Sequence, residues 1–219
     1  MKFDTDFKKG LIEYELRDGT VETLVGTINL KAFYRDMHDM FIAEKFHDLI
    51  KDPDGGFLMN QNQQGEAIDN KKMLNRTGDI FEKKYTIINL GNNSFEFECN
   101  WGLYHSSGFT EHGWFEITLD FECRTMSEVE TLVGNKKKKL QKGDWEFRNK
   151  IVYKNNIIEK YLKTIPFVKN SQKLQELYIE NFYKNKILHD IEYGDQNIVN
   201  VIYNVMNKHF NTSIHRDLI

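Results

Sequence analysis

The sequence predicts an α+β protein in which helices cover one face of an antiparallel sheet of about five strands. Three observations predict it. Residues 94–101 and 114–123 alternate apolar and polar side chains with a period of two, as half-buried strands do. Asp18-Gly19 separates two further strand-like runs, and after Cys123 the apolar residues recur at helical spacing. Strands followed by helices are typical of this fold class.

The two alternating runs at the centre of the chain supply the clearest strands. Successive side chains of a strand point to opposite faces, so the apolar set of each run should face the core. These inward sets are Phe95, Phe97, Cys99 and Trp101 in the first run, and Phe115, Ile117, Leu119, Phe121 and Cys123 in the second. A strand at 80–90 and a tight turn at 91–93 extend the pair to a three-stranded meander over residues 80–123.

An N-terminal hairpin is predicted to complete the sheet. Residues 11–17 and 20–25 are strand-like and flank Asp18-Gly19. A two-residue Asp-Gly loop favours a type I′ turn, because both central residues of that turn need a positive φ.

A helix is predicted over residues 30–50, where apolar residues recur at the spacing of one helix face. Thr27 or Asn29 is expected to cap its start, because a short polar side chain can accept a hydrogen bond from a free N–H of the first turn. Residues 52–56 contain Pro and Gly and should end the helix. The polar residues 57–79 are expected to form a connecting loop.

The C-terminal half, residues 125–219, is predicted to be helical, whereas residues 1–124 are strand-rich. Thr125 and Glu128 have the spacing of a capping box at a helix start. Apolar residues then recur at helical spacing over 129–140, 145–165, 171–189 and 197–210. Only two Pro and no linker of biased composition interrupt the 219 residues, so we expect a single domain, 1–219.

Composition excludes several classes of protein. The net charge of −3 gives no electrostatic footprint for nucleic acid. Neither a secretory signal nor an apolar run of about 20 residues is visible, so we expect a cytoplasmic protein without a membrane partner. The Lys- and Asn-rich composition indicates an AT-rich microbial or phage genome. Cys99 and Cys123 are expected to be reduced, buried thiols.

The segment 102–113 is the first candidate site, because it joins two rigid strands and holds His105, Glu111 and His112. Two His and one carboxylate can bind a divalent metal. The spacing of the two His is not that of a standard metal motif, so a solvated polar loop is the simpler interpretation. These three residues are the candidate catalytic residues, and whether a metal binds is left open.

The polar side of the central strands is the second candidate. Its acidic residues are expected to share one face, which no Lys or Arg between Lys84 and Arg124 neutralises locally. Such a face needs hydration, a cation or a basic protein partner, since like charges on neighbouring strands repel. The predicted partner-binding residues are Glu96, Glu98, Glu116, Asp120 and Glu122.

Two charged motifs are weaker. Lys136 to Lys139, with Lys142, are expected to be a solvated helix end, where Lys complements the helix dipole. Glu82 and Lys84, with Asp69 upstream, resemble the acid–x–Lys arrangement of metal-dependent nucleases, which is a pattern that arises easily by chance.

The leading hypothesis is a non-catalytic protein-binding module, such as an immunity or inhibitor protein in a conflict system. It depends on the acidic face and on the absence of nucleotide-binding, serine-hydrolase, zincin and CxxC motifs. No cofactor is expected. The alternative is a metal-dependent hydrolase or diverged nuclease that uses the His105–His112 loop or Glu82 and Lys84, and a third is a structural or oligomerisation subunit.

Overall fold

A single antiparallel sheet of seven strands organises the part of the chain that the structure, a computed structural model, describes: residues 4–48, 81–133 and 136–210. The strands are β1 (Asp4–Asp6), β2 (Leu11–Ile28), β3 (His47–Asp48), β4 (Glu82–Gly91), β5 (Ser94–Ser106), β6 (Gly113–Val133) and β7 (Lys136–Asn155). Their order is β1-β2-β7-β6-β5, and β3 and β4 both pair with the far side of β5. The predicted loop 57–79 lies outside the described residues.

Five α-helices accompany the sheet, most of them in the C-terminal part of the described chain. They are α1 (Leu30–Ala43), α2 (Ile157–Lys160), α3 (Gln172–Tyr178), α4 (Lys184–Tyr193) and α5 (Asn200–Phe210). Two π-helical segments, Ile179–Tyr183 and Gly194–Val199, join the last three into one helical run. The helices predicted over 171–189 and 197–210 are therefore confirmed.

Helix α1 begins where the sequence predicts and ends earlier. The side chain of Asn29 accepts a hydrogen bond from the backbone N–H of Ala32, at 3.0 Å, so Asn29 rather than Thr27 is the cap. The helix ends at Ala43, and Lys45 adopts a φ of +58°, which turns the chain toward β3.

The core lies between one face of the sheet and the helices, which confirms the α+β class. Phe121 of β6 stacks on Trp145 of β7, with ring centroids 5.1 Å apart. Phe33 of α1 lies 4.7 Å from Phe121, and Phe210 of α5 lies 5.8 Å from it, measured between ring centroids. Helices from both ends of the described chain thus cover the same face, called here the inner face; the opposite face is the outer face.

The predicted hairpin at Asp18-Gly19 is wrong. Strand β2 runs without interruption from Leu11 to Ile28, and β7 pairs with residues on both sides of Gly19. Gly19 has a φ of +84°, and the register with β7 shifts between Asp18 and Val21, which defines a β-bulge. A Gly with positive φ serves a bulge as well as a turn, and the long neighbouring strand, which the local sequence does not reveal, decides between them.

The helix predicted from residue 125 onward is also wrong up to residue 155. Strand β6 continues to Val133, and the chain returns as β7 over Lys136–Asn155, so the strand-rich part extends well beyond residue 124. The capping-box pattern of Thr125 and Glu128 falls where the register between β6 and β7 shifts. Buried and exposed residues alternate along β7, and this period-two signal was masked by its charged residues; the buried ones are Trp145, Phe147, Asn149, Ile151 and Tyr153.

Candidate functional site: the outer face of the sheet

The outer face is the side of the sheet on which no described helix packs. Strand pairing places Glu98 of β5 opposite Glu122 of β6, and Asp120 opposite Asn100. All five predicted partner-binding residues lie on this face, because their neighbours along each strand point into the core. The strand geometry therefore places them on one face, as the alternation of the sequence indicated.

The outer face is less acidic than its sequence indicated. Lys84 of β4 pairs with Glu98 at 2.5 Å, and Lys154 of β7 pairs with Glu116 at 2.8 Å. The expectation of an uncompensated row is thus wrong. Lys154 could not be placed beside β6 because β7 was expected to be helical, whereas Lys84 lies on β4, the predicted neighbour of β5. Lys154 also bridges to Glu13 of β2, at 3.3 Å, so the balance of charge extends across the sheet.

One part of the outer face keeps an excess of carboxylates. A depression of about 190 Å³ lies across β2, β7, β6 and β5. Its lining residues are Val21, Glu98, Asp120, Glu122, Glu146 and Arg148. Four carboxyl groups therefore meet one guanidinium group in the lining.

Glu122 is the member of this set whose charged form is disfavoured by its neighbours. It lies directly opposite Glu146 of β7 on one side and Glu98 on the other. Partial burial, a hydrogen bond with Glu146 and the charge of Glu146 raise the pKa of Glu122 above its ordinary value. Two adjacent carboxylates repel each other, which favours a proton on one of them. A cation placed between them would relieve this repulsion.

The described residues contain no group of three or more His, Cys, Asp or Glu side chains placed to hold a metal ion. The arrangement on the outer face can instead accept hydrogen bonds from a guanidinium or ammonium group at several carboxylate oxygens. Arg–carboxylate contacts of this kind are often bidentate and therefore geometrically specific.

The three candidate residues of the 102–113 segment do not lie in one site. Strand β5 continues to Ser106, so His105 belongs to a strand, and its Nε2 lies 3.1 Å from the Glu44 carbonyl oxygen. Burial among aromatic rings lowers the pKa of His105. Glu111 and His112 instead line a second depression, of about 290 Å³, with Tyr161 and Tyr178. His105 is not part of that depression.

A buried polar cluster that sequence reasoning missed holds this loop in place. Asp190 of α4 is fully buried and accepts hydrogen bonds from the Phe109 N–H at 3.0 Å, the Thr110 hydroxyl at 2.6 Å and the Tyr153 hydroxyl at 2.9 Å. Asn155 donates to the Tyr153 hydroxyl at 2.9 Å. The residues come from three distant parts of the chain, so no local signal in the sequence indicates the cluster.

Glu82 and Lys84 lie on opposite faces of the sheet. The register of β4 with β5 shifts between them, and this irregularity turns Glu82 into the core while Lys84 points to the outer face. The Glu82 carboxylate accepts hydrogen bonds from Tyr34 and His38 of α1. Burial opposes ionisation of Glu82, yet the hydrogen bond and charge of His38 outweigh it and hold the pKa of this carboxyl below its usual value. The two residues therefore do not form an acid–x–Lys site, and Asp69 lies outside the described residues.

The lysine run lies on a strand rather than at a helix end. Lys139 pairs with Glu128 at 3.1 Å and Lys137 with Glu130 at 3.5 Å, across the β6–β7 hairpin. These lysines are thus partly neutralised by the neighbouring strand. Cys99 and Cys123 are both buried and carry free thiols, and burial raises the pKa of each.

Comparison of the chain with protein-family models, with curated proteins and with solved structures found no match. Among the described helices, none has the length and apolar character needed to cross a bilayer.

Proposed function

We propose that this protein is a non-catalytic, cytoplasmic protein-binding module, of the immunity or inhibitor type found in microbial and phage conflict systems, and that it receives a basic segment of its partner on the outer face of the sheet. The observation that carries the proposal is the depression around Glu122, where four carboxyl groups face one guanidinium on a surface that no described helix covers.

The electrostatics of the depression favour a basic partner. Glu98 already has Lys84 as an ion-pair partner, whereas Glu146 raises the pKa of Glu122 by more than the charge of Arg124 lowers it. A guanidinium from a partner would pair with both carboxylates and offset their repulsion. Complementary charges of this kind mainly increase the association rate and select the partner.

The rigidity of the site also suits recognition. The depression is built on four paired strands rather than on loops, so the backbone positions that carry its carboxyl groups are fixed before a partner arrives. Preorganised groups lose little conformational freedom on binding. The geometry gives no comparable support to the metal-dependent hydrolase or nuclease alternative, because His105, Glu111 and His112 separate and because Glu82 and Lys84 face opposite ways.

Affinity capture with three versions of the chain tests the proposal. The wild-type protein should retain a basic protein from a lysate of its source, and salt should elute it, because exposed charges are screened within about 8 Å at physiological ionic strength. The double variant Glu98→Lys/Asp120→Lys should lose that protein. The double variant Glu176→Lys/Glu192→Lys makes the same change in net charge on exposed helix positions and should retain it.

Equal retention by all three versions would contradict the proposal. A thermal-denaturation series with Ca²⁺, Mg²⁺ and Mn²⁺ distinguishes a cation site from a protein site. If one ion raises the melting temperature of the wild-type chain but not of the Glu98→Lys/Asp120→Lys variant, the carboxylates bind the metal instead.

A further inference from the structure

Strand β2 leaves most of one edge without a strand partner among the described residues. Strand β1 pairs only with Leu11, Ile12 and Glu13, whereas β7 pairs with the other side of β2 as far as Ile28. From residue 15 to residue 28 no other described strand pairs with this edge. Such a row of backbone groups is a template for pairing with another strand.

The part of this edge from residue 20 to residue 27, called here the edge segment, has few of the features with which proteins protect an edge. It contains no Pro, Lys or Arg. The second irregularity of β2 lies between Asp18 and Val21, and from Val21 to Ile28 the register with β7 is continuous. The one charged residue of the segment, Glu22, turns to the inner face and accepts a hydrogen bond from Tyr203. An inward charge is one of the common protections, whereas an outward charge and a bulge after Val21 are absent from the segment.

The exposed side of the edge segment is a row of β-branched residues. Val21, Thr23, Val25 and Thr27 are all exposed, Val25 by 69%. The row Val21-x-Thr23-x-Val25 reads the same in both directions. An antiparallel copy related by a two-fold axis at Thr23 would therefore place each Val21 opposite Val25 of the second copy, and Thr23 opposite itself. Cross-strand pairs of β-branched residues stabilise antiparallel sheets.

We infer that the edge segment pairs with the edge segment of a second copy of this chain, in antiparallel register about Thr23, so that two sheets join into one. The symmetry of the row selects a second copy over an unrelated strand, because an unrelated strand has no reason to match it. A two-fold contact uses the same surface on both copies and closes on itself, which gives a dimer rather than a fibre.

This dimer would also arrange the outer faces. Val21 lines the acidic depression, so the depressions of the two copies would lie on either side of the axis and face the same way. The inference concerns the edge of the sheet and does not depend on what the depression binds, so either proposal can fail without the other.

Sedimentation equilibrium of the full chain tests the inference, at concentrations on the order of 100 µM because association follows mass action. The wild-type chain should have twice the monomer mass of 26.0 kDa. Thr23→Lys and Thr23→Glu should each be monomeric, since like charges would meet at the axis. An equimolar mixture of the two should return to the dimer mass, since opposite charges then meet.

Leu132→Lys is the matched control, because Leu132 is 73% exposed on β6, away from the edge segment, and this variant should remain dimeric. Circular dichroism checks that each variant is folded. A monomeric wild-type chain overturns the inference, and so does a dimer that survives both Thr23 variants. A mixture that stays monomeric overturns the register about Thr23.

Discussion

The two faces of the sheet carry different kinds of side chain, although the same strands form both. Phe121 and Asp120 are neighbours on β6, yet Phe121 is fully buried against Trp145 and α1, and Asp120 lines the depression beside Arg148. The inner face is aromatic, and helices from both ends of the described chain pack on it. The outer face carries ion pairs and an excess of carboxylates. The core therefore forms on the inner face, whereas the outer face stays accessible among the described residues.

The largest effect should come from the inner face. Phe121→Ala should lower the free energy of unfolding by about 3–5 kcal/mol, because it empties a site between Trp145, Phe33 and Phe210. Urea denaturation measures this loss. Thr118→Ala, on the outer side of the same strand, should change it by less than about 0.5 kcal/mol, as surface changes usually do. Equal losses in the two variants would show that the faces are not distinct.

A smaller effect should come from the buried polar cluster around Asp190. Asp190→Ala should cost about 3 kcal/mol, because it leaves the Phe109 N–H and the Thr110 and Tyr153 hydroxyls without their buried acceptor. Hydrogen exchange should then be faster in the 107–112 loop. Glu192→Gln, at an exposed position on the same helix, is the control. Unchanged exchange in the loop would contradict the role of Asp190.

The smallest effect, and one of opposite sign, should come from the outer face. The pKa of Glu122 is raised in the folded protein, so folding favours the protonated form. Its favourable contribution is complete below the pKa of the unfolded chain and is lost as pH rises through the higher folded pKa. Glu122→Gln removes the repulsion with Glu146 and should stabilise the protein by about 0.5 kcal/mol at pH 7, as expected for like charges on paired strands.

Denaturation at two pH values checks this sign. The gain from Glu122→Gln should be present at pH 7 and should vanish near pH 3, where the raised pKa keeps the Glu122 carboxyl group of the wild-type chain protonated. The same variant should bind a basic partner more weakly, so stability and binding should change in opposite directions. A loss of stability at pH 7 would contradict the repulsion between Glu122 and Glu146.

The parts of the fold that the sequence predicts are those with a clean local period. The inward sets of β5 and β6, the start of α1 and the helical run after Ser171 follow from alternation or from a 3.6-residue repeat. The pairing of β2 with β7, by contrast, joins residues that are far apart in sequence. A charged strand such as β7, interrupted by a lysine run, has a weak period-two signal, and the decision between hairpin and bulge at Gly19 depends on that same strand.

Only part of the candidate site could be predicted, for the same reason. The acidic residues of β5 and β6 could be placed on one face from their spacing alone. Glu146 and Arg148, which complete the depression, and Lys154, which neutralises Glu116, all lie on β7 and could not be placed there. Asp190 acts on a loop 80 residues away in sequence, which no short-range pattern reports.

The association rate of the captured partner, measured as a function of salt concentration, tests directly whether the outer face binds it. We expect this rate to fall steeply as NaCl rises, because attraction between exposed charges is screened. We also expect Glu98→Lys/Asp120→Lys to lower the rate at low salt by about tenfold or more, with little change in melting temperature. A rate that is independent of salt, or equal for the variant and the wild-type chain, would contradict binding at the outer face.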